Sequence, residues 1–154
     1  MSLSHRKHMP SVRLAMTPFP HSIDVGAAAG RAREMMEEHR IRHLPVTRDG
    51  EIHGIISERD LRLVLRPGAA PTEVRVADAC QEDLYCVPDD TPLDIVLTTM
   101  AERHIGSAVV RRGDHLAGIL TVTDVCRHFA EVLRAQYPGD GTPPEDDGPP
   151  ASAA

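Results

Sequence analysis

Aromatic side chains are nearly missing from this 154-residue chain, which has two Phe, two Tyr and no Trp. Bases stacked on exposed aromatics, the device of single-stranded nucleic-acid binders, have almost no material here. The core must come from Val, Ile, Leu, Ala and Met, which an apolar content of 41% can supply. Lysine occurs once, at Lys7, so positive charge is carried almost wholly by arginine. Of the six net negative charges, four (Asp140, Glu145, Asp146 and Asp147) lie beyond Pro138, where there is no base. The near-neutral remainder gives no electrostatic case for nucleic acid or for an anionic membrane. No apolar run nears the ~18 residues of a membrane span. The polar, basic opening from Met1 to Pro10 does not read as a secretory signal. Cys80, Cys86 and Cys126 are odd in number and lack metal-type spacing, which reads as reduced thiols in a cytoplasmic protein. His39 and His43 are four apart, but His43 falls in a predicted strand, so helical metal-ligand spacing fails and no metal is expected. A P-loop lysine motif, a nucleophile elbow and a dinucleotide-binding turn are also missing.

What the chain does have is one unit written twice. A shift of 64 residues lays 12–65 on 76–129 without a gap. Val12 then meets Val76, Ala15 meets Ala79, Met36 meets Met100, Ile41 meets Ile105, Val46 meets Val110 and Asp60 meets Asp124. Each copy predicts a short extended segment, Ser22 to Val25 or Cys86 to Pro88. A helix follows over Ala28 to His39, with Ala32, Met35 and Met36 inward, or over Pro92 to Arg103, with Ile95, Val96, Thr99 and Met100 inward. A hairpin comes next, His43–Thr47 with Ile52–Ile56 or Ser107–Arg111 with Leu116–Leu120, turning at Asp49-Gly50 or Gly113-Asp114. A last helix starts at Glu58 or Val122. The expected fold class is α/β (α+β): two β-α-β-β-α repeats packed with pseudo-twofold symmetry. The expected division is a flexible arm at 1–11, repeats at 12–66 and 76–137, a linker at 67–75 and a disordered acidic Pro/Gly-rich tail at 138–154. Repeats of this size are marginal alone, and packing them together creates a cleft suited to a small ligand.

Both hairpins end in Gly, two aliphatics, a hydroxyl residue, two variable residues and Asp: Gly54-Ile55-Ile56-Ser57-Glu58-Arg59-Asp60 and Gly118-Ile119-Leu120-Thr121-Val122-Thr123-Asp124. Taken singly, each motif reads as a helix cap, with Ser57 or Thr121 at the N-cap and the acid closing a capping box, worth ~1 kcal/mol. A helix start also offers backbone N–H groups to a phosphate, and a carboxylate beside it can accept ribose hydroxyls. Glycine permits close approach of backbone or ligand. The doubling in register is what favours a ligand. Copy one adds Arg42-His43 and Arg59, where copy two has Gly106-Ser107 and Thr123.

These two motifs, the repeat order, Ile41-Arg42-His43-Leu44-Pro45-Val46 and Met16-Thr17-Pro18 resemble paired CBS domains, known as a Bateman module, over roughly residues 12–135. The resemblance implies a stand-alone regulatory module that binds AMP, ADP or ATP between the repeats, requires no cofactor, forms a homodimer and signals to a regulated protein. It implies Asp60 and Asp124 on ribose, Ser57 and Thr121 near ribose or phosphate, and Thr17 at the same site. The base pocket would be lined by Ile23, Leu44 and Pro45, and in copy two by Val87, Ala108 and Val109. Side chains of one repeat would reach the site of the other. The competing expectations are another adenosyl ligand, such as S-adenosylmethionine or NAD, and a ligand-free interaction or dimerisation module. An enzyme is not expected, because no domain is left over to host chemistry.

Overall fold

A computed structural model describes residues 8–139; the expected arm and acidic tail fall largely outside them. Copy one contains β2 (Ile23–Asp24), α1 (Ala29–His39), β3 (His43–Arg48), β4 (Glu51–Ser57) and α2 (Glu58–Val64). Copy two contains β5 (Cys86–Pro88), α3 (Leu93–Glu102), β6 (Ser107–Arg112), β7 (His115–Thr121) and α4 (Val122–Gln136). A short strand β1 (Thr17–Pro18) precedes them, and 3-10 turns stand at Val12–Leu14 and Val76–Asp78. The β-α-β-β-α order therefore holds in both halves, with element ends within two residues of those expected.

The hairpin turns are as the sequence demands. Asp49 and Gly50 both take positive φ, at 52° and 83°, while Gly113 takes 61° ahead of Asp114. These are the conformations whose twist matches that of paired strands. In each copy the first strand lies parallel to the second across its helix, Ile23 opposite Val46 and Val87 opposite Val110. Inward residues of the hairpin then pack on the helices. Leu44, Val46 and Ile56 meet Ala32 and Met36 in one core, and Ala108, Val110 and Leu120 meet Val96 and Met100 in the other. Ile95, expected inward, is 53% exposed. The buried line of α3 runs through Val96 and Met100, four residues apart, and Ile95 is turned about 100° away from Val96.

The segments leading into the repeats change places. Val12 and Ala15 are buried in the core of copy two, and Val76 and Ala79 in the core of copy one. β1 pairs antiparallel with β7 (Thr17 opposite Ile119), and Gln81 bridges Ile55 in the same way. The Val12 N–H donates to the Thr91 carbonyl at 2.8 Å, and the Val76 N–H to the Ala27 carbonyl at 2.9 Å. Every one of these pairs obeys the 64-residue shift. Valines buried at this level contribute about 2 kcal/mol each. The sheets are consequently β1-β7-β6-β5 and β2-β3-β4. Pro45 and Val109 are buried but belong to neither helix-facing core; they alternate with the helix-facing residues of β3 and β6, on the opposite side of each sheet.

The exchange also explains the motif glycines. A Cβ on Gly54 would stand 2.5 Å from the Gln81 carbonyl oxygen, and one on Gly118 would run into the Met16 side chain. The close approach that the sequence left open to backbone or ligand is thus taken by the exchanged segment.

Candidate functional site

At each strand-to-helix corner the hydroxyl and the acid form a reciprocal cap. In copy one, Asp60 Oδ2 accepts from the Ser57 N–H at 2.8 Å and the Ser57 hydroxyl at 2.6 Å, while Ser57 Oγ accepts from the Asp60 N–H at 3.2 Å. In copy two, Asp124 Oδ2 accepts from the Thr121 N–H at 2.9 Å and the Thr121 hydroxyl at 2.7 Å, and Thr121 Oγ1 accepts from the Asp124 N–H at 3.3 Å. One carboxylate oxygen is therefore committed to the cap in both copies.

The other oxygen meets the exchanged segment. Asp124 Oδ1 receives the Thr17 hydroxyl and an Arg127 N–H, each at a long 3.4 Å. Asp60 Oδ1 receives the Gln81 side-chain amide at 3.3 Å. Such contacts are weak enough for a ligand hydroxyl to replace. The helix starts are partly used already, since the Glu58 N–H donates to the Arg42 carbonyl and the Val122 N–H to the Gly106 carbonyl.

A cleft of about 860 Å³ opens at the copy-two corner. Thr17, Thr121 and Asp124 line it with Arg42 and His43 from copy one, so five expected site residues from both repeats share a wall. Side chains of copy one do reach the site of copy two. Ser57, Asp60 and Arg59 stand at the other corner and not on this wall. The six residues expected around a base (Ile23, Leu44, Pro45, Val87, Ala108 and Val109) are all buried and absent from the cleft wall. Their surface is taken up by helix-facing cores and by the inner sides of the sheets.

The cleft has other apolar material that the sequence did not assign to a site: Phe19, Ile41 and Ile119. Phe19 is 89% exposed and has φ 47°, a left-handed conformation uncommon outside glycine. The flanking Pro18 and Pro20 were a readable sign of an unusual backbone there. Arg40 and Arg127 also line the cleft, and His21 stacks on His39 with ring centroids 3.7 Å apart. Arg127 lies one helical turn beyond Asp124, a spacing that could have flagged it.

The wall is cationic: Arg40, Arg42 and Arg127 face Asp124 alone. Burial lowers the pKa of His43, the Asp60 charge opposes that shift, and the Arg42 charge adds to it. His43 is therefore neutral at pH 7 and lies between the two corners. Among the described residues no group of three or more His, Cys, Asp or Glu side chains could hold a metal ion, and no helix is long and apolar enough to cross a membrane.

Known proteins share this framework. Hypoxic response protein 1 of Mycobacterium tuberculosis is 28% identical over 108 residues, which span 69% of this chain and 76% of that protein. The solved structure of Hypoxic Response Protein I carries two coordinated zinc ions. The Vibrio cholerae protein named AcuB for acetoin utilization superposes with a TM-score of 0.77 at 26% identity, covering 86% of this chain and 99% of its own. The CBS domain pair of MJ0100, solved with 5′-methylthioadenosine and S-adenosyl-L-methionine, shares the fold with a TM-score of 0.70 at 22% identity, covering 81% and 99%. The CBS domain pattern itself matches residues 11–67 and again residues 76–131. With both halves matched, the chain belongs to the CBS-domain family, as a tandem pair.

Proposed function

We propose that this CBS pair is a regulatory module, not an enzyme, that senses an adenine nucleotide of the AMP, ADP or ATP type. The observation that carries the reading is the copy-two cleft, where a long helix begins, a carboxylate oxygen is weakly held, and three arginines converge. Asp124 Oδ1 would take a ribose hydroxyl from Thr17, and Arg42, His43 and Arg127 would meet phosphate. Exposed Phe19 and half-buried Ile41 would pack the base, in place of the buried residues first expected there. The MJ0100 pair, solved with two adenosyl compounds, supports ligands of this class in the same fold. Asp60 and Asp124 each serve their own cap at separate corners, so they do not form an acid–base pair. Binding would bias how the repeats pack, and a regulated protein would read that change.

A second reading, an interaction module acting without ligand, draws on α4. Phe129, Val132 and Leu133 are exposed on that helix, a face suited to a homodimer. Thermal unfolding with AMP, ADP, ATP, S-adenosylmethionine or NAD separates the two. At ~100 times its dissociation constant a true ligand adds ~2.7 kcal/mol of stability. Asp124→Asn keeps one oxygen for the cap and turns an amide into the cleft, so the shift shrinks while the unliganded midpoint barely moves. No shift with any of the five compounds at millimolar concentration leaves the interaction reading alone.

A further inference from the structure

We propose that the two corners sort ligands by charge: the copy-two cleft captures a nucleotide through its phosphates, and the copy-one corner turns phosphates away. The inference rests on the nucleotide reading above and adds which corner holds the anion.

The repeat shift gives each cleft residue a counterpart, and the backbone pairs obey that shift throughout. Where the cleft has Arg40 and Arg127, the other corner has His104 and Leu63. Where the cleft has Pro18, Phe19 and Val122, the other corner has Glu82, Asp83 and Glu58. With Asp60 that corner carries four acids, against Arg59, the shared Arg42 and Arg62, which pairs with Glu58, while Glu82 faces His53 at 3.3 Å. Burial raises the Cys80 thiol pKa most and the Glu82 charge pushes it further up; a backbone hydrogen bond and the Arg48 charge pull it down, and Asp60 adds a smaller upward push.

The helices differ in the same sense. α4 runs for 15 residues and α2 for 7, so the copy-two corner has the longer dipole behind it. Arg42 could serve either side. Its only described acidic partner is Glu58 at 3.7 Å, with the Arg42 side chain 82% exposed, a pair weak enough for phosphate to displace. A polyphosphate at the copy-one corner would stand within a Debye length (~8 Å) of several carboxylates, where screening gives little relief.

The test is titration calorimetry of the full chain with ATP, AMP and adenosine at low and high salt. One ATP is expected per chain, bound more tightly than AMP and AMP more tightly than adenosine, with the preference shrinking as salt rises. Arg127→Leu, which copies the residue at position 63, should cut the ATP-to-adenosine preference about tenfold, the size of one charge-assisted hydrogen bond. Arg127→Gln serves as a second variant with a polar side chain. Glu82→Gln combined with Asp83→Asn should raise ATP stoichiometry from one to two. The proposal is overturned by equal affinity for ATP and adenosine, by two ATP per unaltered chain, by an unchanged preference in both Arg127 variants, or by a double variant still binding one. If none of the three compounds binds, the nucleotide reading itself fails, which is a different result.

Discussion

The two strand-to-helix corners share their backbone devices and differ in their charge. Both have the reciprocal cap, both receive an exchanged segment on the edge of the hairpin, and both bring a third side chain to the free carboxylate oxygen. Around that common frame the copy-two cleft sets three arginines against Asp124, while the copy-one corner mixes four acids with Arg42, Arg59 and Arg62. Backbone pairing and core packing tolerate few alternatives, because a slipped register would turn every buried side chain outward. Exposed positions around a cleft carry no such constraint, so duplicated copies are free to diverge there in charge while their cores stay matched.

The exchange of leading segments is the part of the symmetry with most stability behind it. Val12 and Val76 are both fully buried, each in the core of the other repeat. Val12→Ala and Val76→Ala should each cost about 2–3 kcal/mol, since a cavity is added to the lost transfer energy. Urea unfolding would give the size, as a lower midpoint with an unchanged slope. Native-state hydrogen exchange would give the location. Val12→Ala should loosen the β6 amides and Val76→Ala those of β3. The reverse assignment would mean that each leading segment belongs to its own repeat.

Much of this was readable in the sequence, and the limits have physical causes. The duplication, the element order, both hairpin turns and both caps followed from local chemistry: periodicity, Asp-Gly and Gly-Asp pairs, and a hydroxyl three residues before an acid. The crossing of Val12 and Val76 was not readable. Their alignment says that the two positions are alike and says nothing about which core each enters. The lining of a base pocket was not readable for a related reason. Leu44 and Pro45, like Ala108 and Val109, are neighbours on opposite sides of strands covered on both sides, so apolar character could not separate core from cleft wall. Phe19 and Arg40 were passed over because a loop and a helix end show no period, and Arg127 because its spacing from Asp124 was not used.

The motif glycines offer a sharper contrast. A Cβ at Gly54 meets the backbone of Gln81, which cannot move without breaking its bridge to Ile55, whereas one at Gly118 meets the flexible Met16 side chain. Gly54→Ala should therefore cost about 2 kcal/mol and Gly118→Ala about 1 kcal/mol or less, within the range for overpacked sites. Equal costs would mean that the two crossings are equally rigid. The measurement is again the urea midpoint, taken for both variants without ligand.

His43 marks the smallest expected effect and the clearest break in symmetry, since its counterpart Ser107 does not titrate. Burial holds its folded pKa below the ordinary 6.5, with Asp60 pulling against that shift and Arg42 adding to it. Between the lowered value and 6.5 the unfolded chain binds more protons than the folded one. Stability must then rise with pH across that window. The benefit of keeping His43 neutral is complete above 6.5, declines as pH falls toward the folded value, and levels off below it. His43→Gln should flatten this slope in thermal unfolding between pH 7 and 5, whereas Ser107→Ala should leave it intact. A phosphate held beside the imidazole would favour its protonated form, so His43 should take up a fraction of a proton as ATP binds near pH 6.5. That uptake would appear as a dependence of binding heat on the ionisation enthalpy of the buffer, and His43→Gln should abolish it. If the uptake survives the substitution, another group takes the proton and the phosphates do not rest beside His43.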